Sequence, residues 1–361
     1  LLSQTYLVRR FRLPGFLTWA LIAVEAVLML ISRESLYPTM LRFFPSGYSM
    51  LTIGGGITLW WWTLTATAAL IWLRDKLVKQ DFQPARRAWL KASATAVCAA
   101  PVVALSAGIA TRKHFTIEEI DLHFPNLPKD LQGLRLLQIS DIHMSDFFSA
   151  ADLSRAVAAS NELRPDIAFV TGDLITTQWD PLDQCLLELA KLRASSGVWG
   201  CLGNHEMHAH AERYTTQKAL EYDIRFLRQG AVPLRFGQSQ INLVGVDHQR
   251  RERPYLQRVE ELVTPGGFNL LLSHNPDVFP VAARKGFQLT LAGHTHGGQI
   301  NLPIGQANLN IADLITPFTK GAYKLPGSSL YVNAGLGTIG VPVRLGAPPE
   351  ITLIRLCDSS S

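Results

Sequence analysis

The sequence predicts an α/β layered domain preceded by an apolar helical region, and three observations lead there. Short apolar runs alternate with longer amphipathic stretches after residue 113. Residues 43–73 and 92–110 carry no charged side chain, and 13–32 carry only Glu25. All 10 histidines lie in the later part of the chain.

The apolar region is met first. A membrane span needs roughly 20 apolar residues, so three helices are expected, at 13–32, 49–73 and 90–110. Trp60, Trp61 and Trp62 suit a membrane interface. Arg9, Arg10 and Arg12 precede the first span, and Arg74, Lys76, Lys79, Arg86, Arg87 and Lys91 follow the second. Positive charge stays cytoplasmic, which predicts an inner-membrane protein with residues 111–361 periplasmic or extracellular. Arg86 and Arg87 before the Ala-rich third run also resemble a twin-arginine export signal. That reading and a simple span stay open together. The chain starts at Leu1 rather than Met, so an upstream segment is an open expectation.

Composition excludes some classes. The formal charge of +5 is modest, and Lys and Arg cluster beside the expected spans, so no nucleic-acid partner is read. Cys98, Cys185, Cys201 and Cys357 have no zinc-ribbon spacing, and a disulfide framework is not expected. Oligomeric state is left open.

In the later part, 135–140, 166–172, 197–203, 241–246, 268–274 and 287–293 read as buried strands. "SLYVNAG" and "EITLIRL" add strands near the end. "DLSRAVAASNEL", "LDQCLLELAKL" and "PDVFPVAARK" read as helices between them. In such folds, polar residues at the C-terminal ends of strands build the site. Those ends carry Asp141 and His143, then Asp173, then Asn204 and His205, then His274, then His294 and His296. Each pair alone is an ordinary turn; five in succession point to one edge.

Asp, Asn and His supply mixed oxygen and nitrogen donors for borderline divalent ions such as Mn, Fe, Zn or Ni. The donors are too many for one tetrahedral site. Two ions roughly 3.5–4 Å apart, sharing a carboxylate, would use them. Glycines beside the donors are expected to let the backbone turn.

The motifs D-x-H, G-D, G-N-H-E, H and G-H-x-H, in that order, resemble the calcineurin-like metallophosphoesterase superfamily. "GLRLLQISDIH", "LTLAGHTHGGQI" and "YVNAGLGTIGVPVRLGAPPEITLIRL" are similar to its membrane-associated YkuE/YaeI-like bacterial branch. The resemblance covers 115–357. It implies a four-layer αββα sandwich and a metal-dependent phosphoesterase, with phosphodiesterase activity expected. It assigns Asp141, His143 and His296 to one metal ion and Asn204, His274 and His294 to a second, with Asp173 bridging. It gives His205 a catalytic role on the substrate. The implied reaction is hydrolysis of a phosphoester or pyrophosphate by metal-activated water, the substrate being a phosphorylated small molecule or, from the expected membrane attachment, a lipid-linked or envelope compound. Ala334 departs from the pattern, standing where relatives often carry arginine. A non-enzymatic membrane protein that keeps the fold for binding or sensing is the alternative.

Further residues carry two readings each. His208 and His210 suit a third metal site or a solvated loop. Asp247 and His248 suit support of the metal ligands or a turn. Phe147, Phe148 and Trp179 suit an apolar lip or packing. Residues 301–328 suit a cover that brings Lys320 or Lys324 near phosphate, or a surface connection.

Overall fold

The computed structural model describes residues 65–73, 76, 103, 106–250, 254–304 and 307–359. In chain order the strands are β1 (Thr116–Phe124), β2 (Arg135–Ile139), β3 (Ile167–Thr171), β4 (Val198–Cys201), β5 (Ile224–Phe226), β6 (Gly230–Phe236) and β7 (Ser239–Gly245). They continue as β8 (Phe268–Leu272), β9 (Leu289–Ala292), β10 (Asn301–Ile304), β11 (Ala307–Asn310), β12 (Gly321–Leu325), β13 (Ser328–Val332) and β14 (Glu350–Asp358). The helices of this unit are α1 (Ala150–Glu162), α2 (Leu182–Leu189), α3 (Asn204–His208), α4 (Glu212–Leu220) and α5 (Phe279–Arg284).

Two six-stranded sheets result, ordered β1-β14-β2-β3-β4-β5 and β12-β13-β9-β8-β7-β6. In the first, β2 to β5 run parallel. The last strand, β14, enters between β1 and β2, parallel to the former and antiparallel to the latter. In the second, β7, β8, β9 and β13 run parallel, with antiparallel strands at both edges.

Strand alternation builds the layers. Successive side chains face opposite sides of a sheet. In β3, Ile167 and Phe169 join Ile241, Leu243, Leu270, Leu272 and Leu291 of the second sheet in one core. Ala168 and Val170 turn the other way, onto Leu153, Ala156 and Val157 of α1 and Cys185, Leu186 and Leu189 of α2. On the outer face of the second sheet, Val244 and Leu271 pack with Val278, Ala282 and Phe287. Each fully buried Leu, Ile or Phe contributes about 1.5–3 kcal/mol. This is the two-sheet sandwich with helices outside that the resemblance implies. Its second outer layer is thin: the expected helix 276–285 is a 3-10 turn, Pro276–Val278, followed by the six residues of α5. Pro280 at the start of α5 lacks the amide that would continue the preceding turn.

The helix α1 starts at Ser149, whose hydroxyl accepts from the Asp152 amide while Asp152 accepts from the Ser149 amide at 2.9 Å. This fixes where the chain leaves the β2 end and turns back across the sheet.

The expected location is corrected. Among the described residues no helix is long and apolar enough to cross a membrane. Of the expected second span, residues 65–73 are described, and they are helical. Apolar runs report hydropathy, whereas crossing needs one continuous helix of sufficient length. The expectation of an inner-membrane protein with an exported domain is therefore not upheld, and the argument for a lipid-linked substrate, which rested on it, falls too. The expected span 13–32, residues 49–64, most of 90–110 and the twin-arginine stretch lie outside the described residues.

Candidate metal centre

The ends of β2, β3, β4, β8 and β9 bring the expected residues together. In each of three groups the donor atoms lie within 4.8 Å of one another: Asp141, His143 and His296; His143, Asp173 and His205; Asp173, His274 and His294. The first group is the triad expected for one ion, and the third joins Asp173 to His274 and His294, which were expected with Asn204 at the other. Asp173 stands between them. Its Oδ2 is 3.0 Å from His274 Nε2 and 3.5 Å from His143 Nε2. His296 Nε2 is 3.4 Å from Asp141 Oδ1. Although only Thr295 separates His294 from His296, the two rings belong to different groups.

The backbone explains how adjacent residues aim at one point. Asp141, His143, Asp173, His294 and His296 all have positive φ, between 44° and 77°. This left-handed region disfavours residues with a Cβ, Asn, Asp and His less than others. Strain of this kind collects at functional sites and persists where the surroundings fix it. The glycines act differently from expectation at two positions. Gly203 and Gly293 do not have positive φ; a Cβ on Gly203 would strike Asp173 Oδ1, and one on Gly293 would strike Ser140 Oγ and Asp141 Oδ2. They admit the close approach of a carboxylate, and the donor residues themselves make the turns.

Hydrogen bonds fix the rings. His274 Nδ1 lies 2.7 Å from the Thr171 carbonyl, and His205 Nδ1 lies 2.8 Å from the Thr176 carbonyl. A carbonyl only accepts, so both Nδ1 atoms carry hydrogen and both Nε2 atoms face the site. The Thr176 hydroxyl meets His143 Nδ1 at 3.0 Å, so one residue orients two rings. Asp180 holds that turn by accepting from the Thr176 and Thr177 amides, each at 2.7 Å.

Electrostatics then argue for a cation. Burial lowers His143 to about 3 and His294 to about 4, so both rings are neutral near pH 7. Burial also raises Asp141 to about 6. His274 is the exception: burial opposes its charge, but Asp173 and Asp141 outweigh it and hold it up to about 10. Burial likewise works against Asp173, and the charge and hydrogen bond of His274 take it well below the usual carboxylate range. The protein alone thus holds a proton between Asp173 and His274. His296 Nε2 lies 3.1 Å from His143 Nε2, and His294 Nδ1 lies 3.2 Å from His274 Nε2. The Asn204 Oδ1 is buried and has no hydrogen-bond partner among the described residues. An orphaned buried oxygen beside clustered imidazole and carboxylate donors suits divalent cations, so the residues fit the metal pair.

Two supporting residues were given no role from the sequence. Glu206 is fully buried; it accepts from the Asp173 and Leu174 amides at 3.0 and 2.7 Å and from Gly203 at 2.8 Å. One carboxylate therefore ties the β3 turn to the β4 turn. Its signal was position three after Gly203, the place of a capping acid at a helix start. Arg344 is 2% exposed and donates to the carbonyls of His296 and Ala334, both at 2.8 Å. Nothing local in the sequence marks it.

The remaining expectations divide. Phe147 and Phe148 are buried, so they pack rather than form a lip, while Trp179 is exposed. Asp247 pairs with Arg228, at 2.8 and 2.9 Å, and does not support a ligand. Lys320 pairs with buried Glu350 at 2.7 Å, and Lys324 lies on the edge strand β12. His208 is exposed, and its ring is 5.6 Å from that of His205. A cavity of about 540 Å³ opens beside Asn204 and His294, lined also by His248, Asn275 and Ile315.

Residues 134–298 match the sequence profile of the calcineurin-like phosphoesterases. The chain is 30% identical over 238 residues to the uncharacterized metallophosphoesterase YkuE of Bacillus subtilis, covering 64% of this chain and 81% of that protein. It is 30% identical to a bovine transmembrane protein with a metallophosphoesterase domain over 67% of this chain, and spans only 56% of that relative's length. Among solved structures, the sulfate thiohydrolase SoxB of Thermus thermophilus is similar at 13% identity and a TM-score of 0.38, over 59% of this chain and 53% of SoxB.

Proposed function

The chain belongs to the calcineurin-like phosphoesterases, a metal-dependent hydrolase family, and from that premise we propose that residues 111–361 form a dinuclear phosphohydrolase. Asp141, His143 and His296 hold one divalent ion, Asn204, His274 and His294 the other, and Asp173 bridges. The ions are Mn, Fe, Zn or Ni, matching the oxygen and imidazole donors. The observation that carries this reading is the place of Asp173 between two triads, with the orphaned Asn204 oxygen beside them.

When bound, the ions supply Lewis-acid polarisation of a phosphoryl oxygen and acidify water. His205 acts on the substrate. Its Nδ1–H stays on the Thr176 carbonyl in both protonation states, so Nε2 is the position that exchanges a proton. The protonated ring donates from Nε2 to the oxygen leaving phosphorus. Its backbone amide donates to Asp173 Oδ1 at 2.9 Å, which keeps the ring beside the bridging carboxylate. Thr176 and Asp180 orient the ring rather than touch substrate.

The test is a panel of phosphomonoesters, diesters and pyrophosphates, with each ion added back to stripped protein. Hydrolysis is expected only with metal. His205→Ala should keep its ions and lose about 10²–10⁴-fold in rate on esters with poor leaving groups. The loss should shrink on nitrophenyl esters, whose leaving groups need little protonation. Equal losses across leaving groups would remove the general-acid role, and loss of metal would make His205 a ligand, as its grouping with His143 and Asp173 permits.

A further inference from the structure

His248 is not used by the metal pair, yet its ring centroid lies 5.6 Å from His294 and 6.0 Å from His274. Its Nδ1 is buried and has no hydrogen-bond partner among the described residues. A buried N–H left unpaired is costlier and rarer than a bare acceptor. The neutral ring therefore keeps its hydrogen on Nε2, the polar atom left for the cavity. That cavity is about 540 Å³, and a second of about 390 Å³ shares Met207, His248, Gln249 and Arg250 with it. His248 thus stands where space beside the metal centre continues away from it, in a volume suited to an organic ligand rather than to phosphate alone.

The neighbouring amides are engaged with the protein. Gln249 donates to the Asp247 carbonyl at 2.8 Å and accepts from the Leu256 amide at 2.9 Å. Asn275 donates to the Gln249 carbonyl at 2.8 Å and accepts from the Asp277 amide at 2.9 Å. The Thr316 hydroxyl donates to Asp277. These bonds make a rigid frame. The imidazole of His248 has no such engagement and faces the same space.

We propose that this cavity is the subsite for the organic substituent of the phosphoester, and that His248 Nε2–H donates a hydrogen bond to an oxygen on it. The substrate class is then a phosphoester with an oxygen-rich, polyol-like or sugar-like substituent. This rests on the phosphohydrolase reading for the placement of phosphate at the metal centre.

The experiment measures binding rather than turnover. Calorimetric affinities of metal-loaded protein are compared for inorganic phosphate, glycerol 3-phosphate and butyl phosphate, in wild type, His248→Leu and His248→Gln. In His248→Leu the ratio of glycerol phosphate to phosphate affinity should fall about tenfold, the scale of one lost hydrogen bond. His248→Gln places an amide N–H near the Nε2 position and should restore most of it. The butyl to phosphate ratio should not fall, because butyl offers no acceptor. An unchanged glycerol ratio, an equal fall for butyl phosphate, or no binding by wild type overturns the proposal. Loss of an ion by His248→Leu in elemental analysis overturns it too, making His248 a support for His294. Failure of the wild type to hydrolyse any ester would instead sink the phosphohydrolase reading, since the binding ratios do not depend on turnover.

Discussion

At the scale of single residues, burial and neighbouring charges set the protonation of the site. His274 is the clearest instance. Its pKa is raised from about 6.5 to about 10 in the metal-free fold, by the carboxylates of Asp173 and Asp141 acting against burial. The folded state then binds this proton more tightly than the unfolded chain. The resulting stability is complete below pH 6.5 and is lost as pH rises through about 10. The raised Asp141 acts in the same direction between about 4 and 6. Metal-stripped protein should therefore lose stability from pH 6.5 to 10, by at most about 1.4 kcal/mol per unit. Denaturant midpoints across that range check it; a flat or rising profile would mean that His274 is not held protonated. Metal-loaded protein should not show the decline, because the ion replaces the proton. The donors were legible in the sequence because Asp, Asn and His sit directly after apolar runs. For Glu206 the sequence offered only a capping position, and its bonds to the β3 turn, like those of Arg344 to the His296 and Ala334 carbonyls, are long-range contacts that no local spacing encodes.

At the scale of elements, five strand ends converge because β2, β3 and β4 run parallel in one sheet and β8 and β9 in the other. Those strands were readable as runs buried on both faces. The edge strand β1 was not, because its burial alternates and its charges, such as Glu118 and Asp121, look like a solvated loop. The helix α3 begins inside the G-N-H-E motif and α4 comes after it, both with few apolar positions, so they left little periodicity to read. The close β3–β4 approach gives a test. Gly203→Ala puts a Cβ against Asp173 Oδ1, which also accepts from the His205 amide. The variant should fold, with about 1–3 kcal/mol less stability from overpacking, and should bind metal more weakly than wild type. A variant with wild-type metal affinity would show that the Gly203 contact does not position Asp173.

At the scale of the whole molecule, the sequence order of strands does not reveal their spatial order. The chain end returns as β14 between β1 and β2, and Glu350 on it meets Tyr331 of the other sheet at 2.6 Å. Such pairings join residues far apart in sequence, so they show only in the fold. The apolar N-terminal runs were equally visible in the sequence, but hydropathy did not decide location. The central claim is that the two sheets meet to hold two ions through one shared carboxylate. Elemental analysis of stripped and reloaded protein tests it most directly. Two ions per chain are expected in wild type, one in His294→Ala and in His296→Ala, and none in Asp173→Ala. One ion or none in reloaded wild type would contradict it.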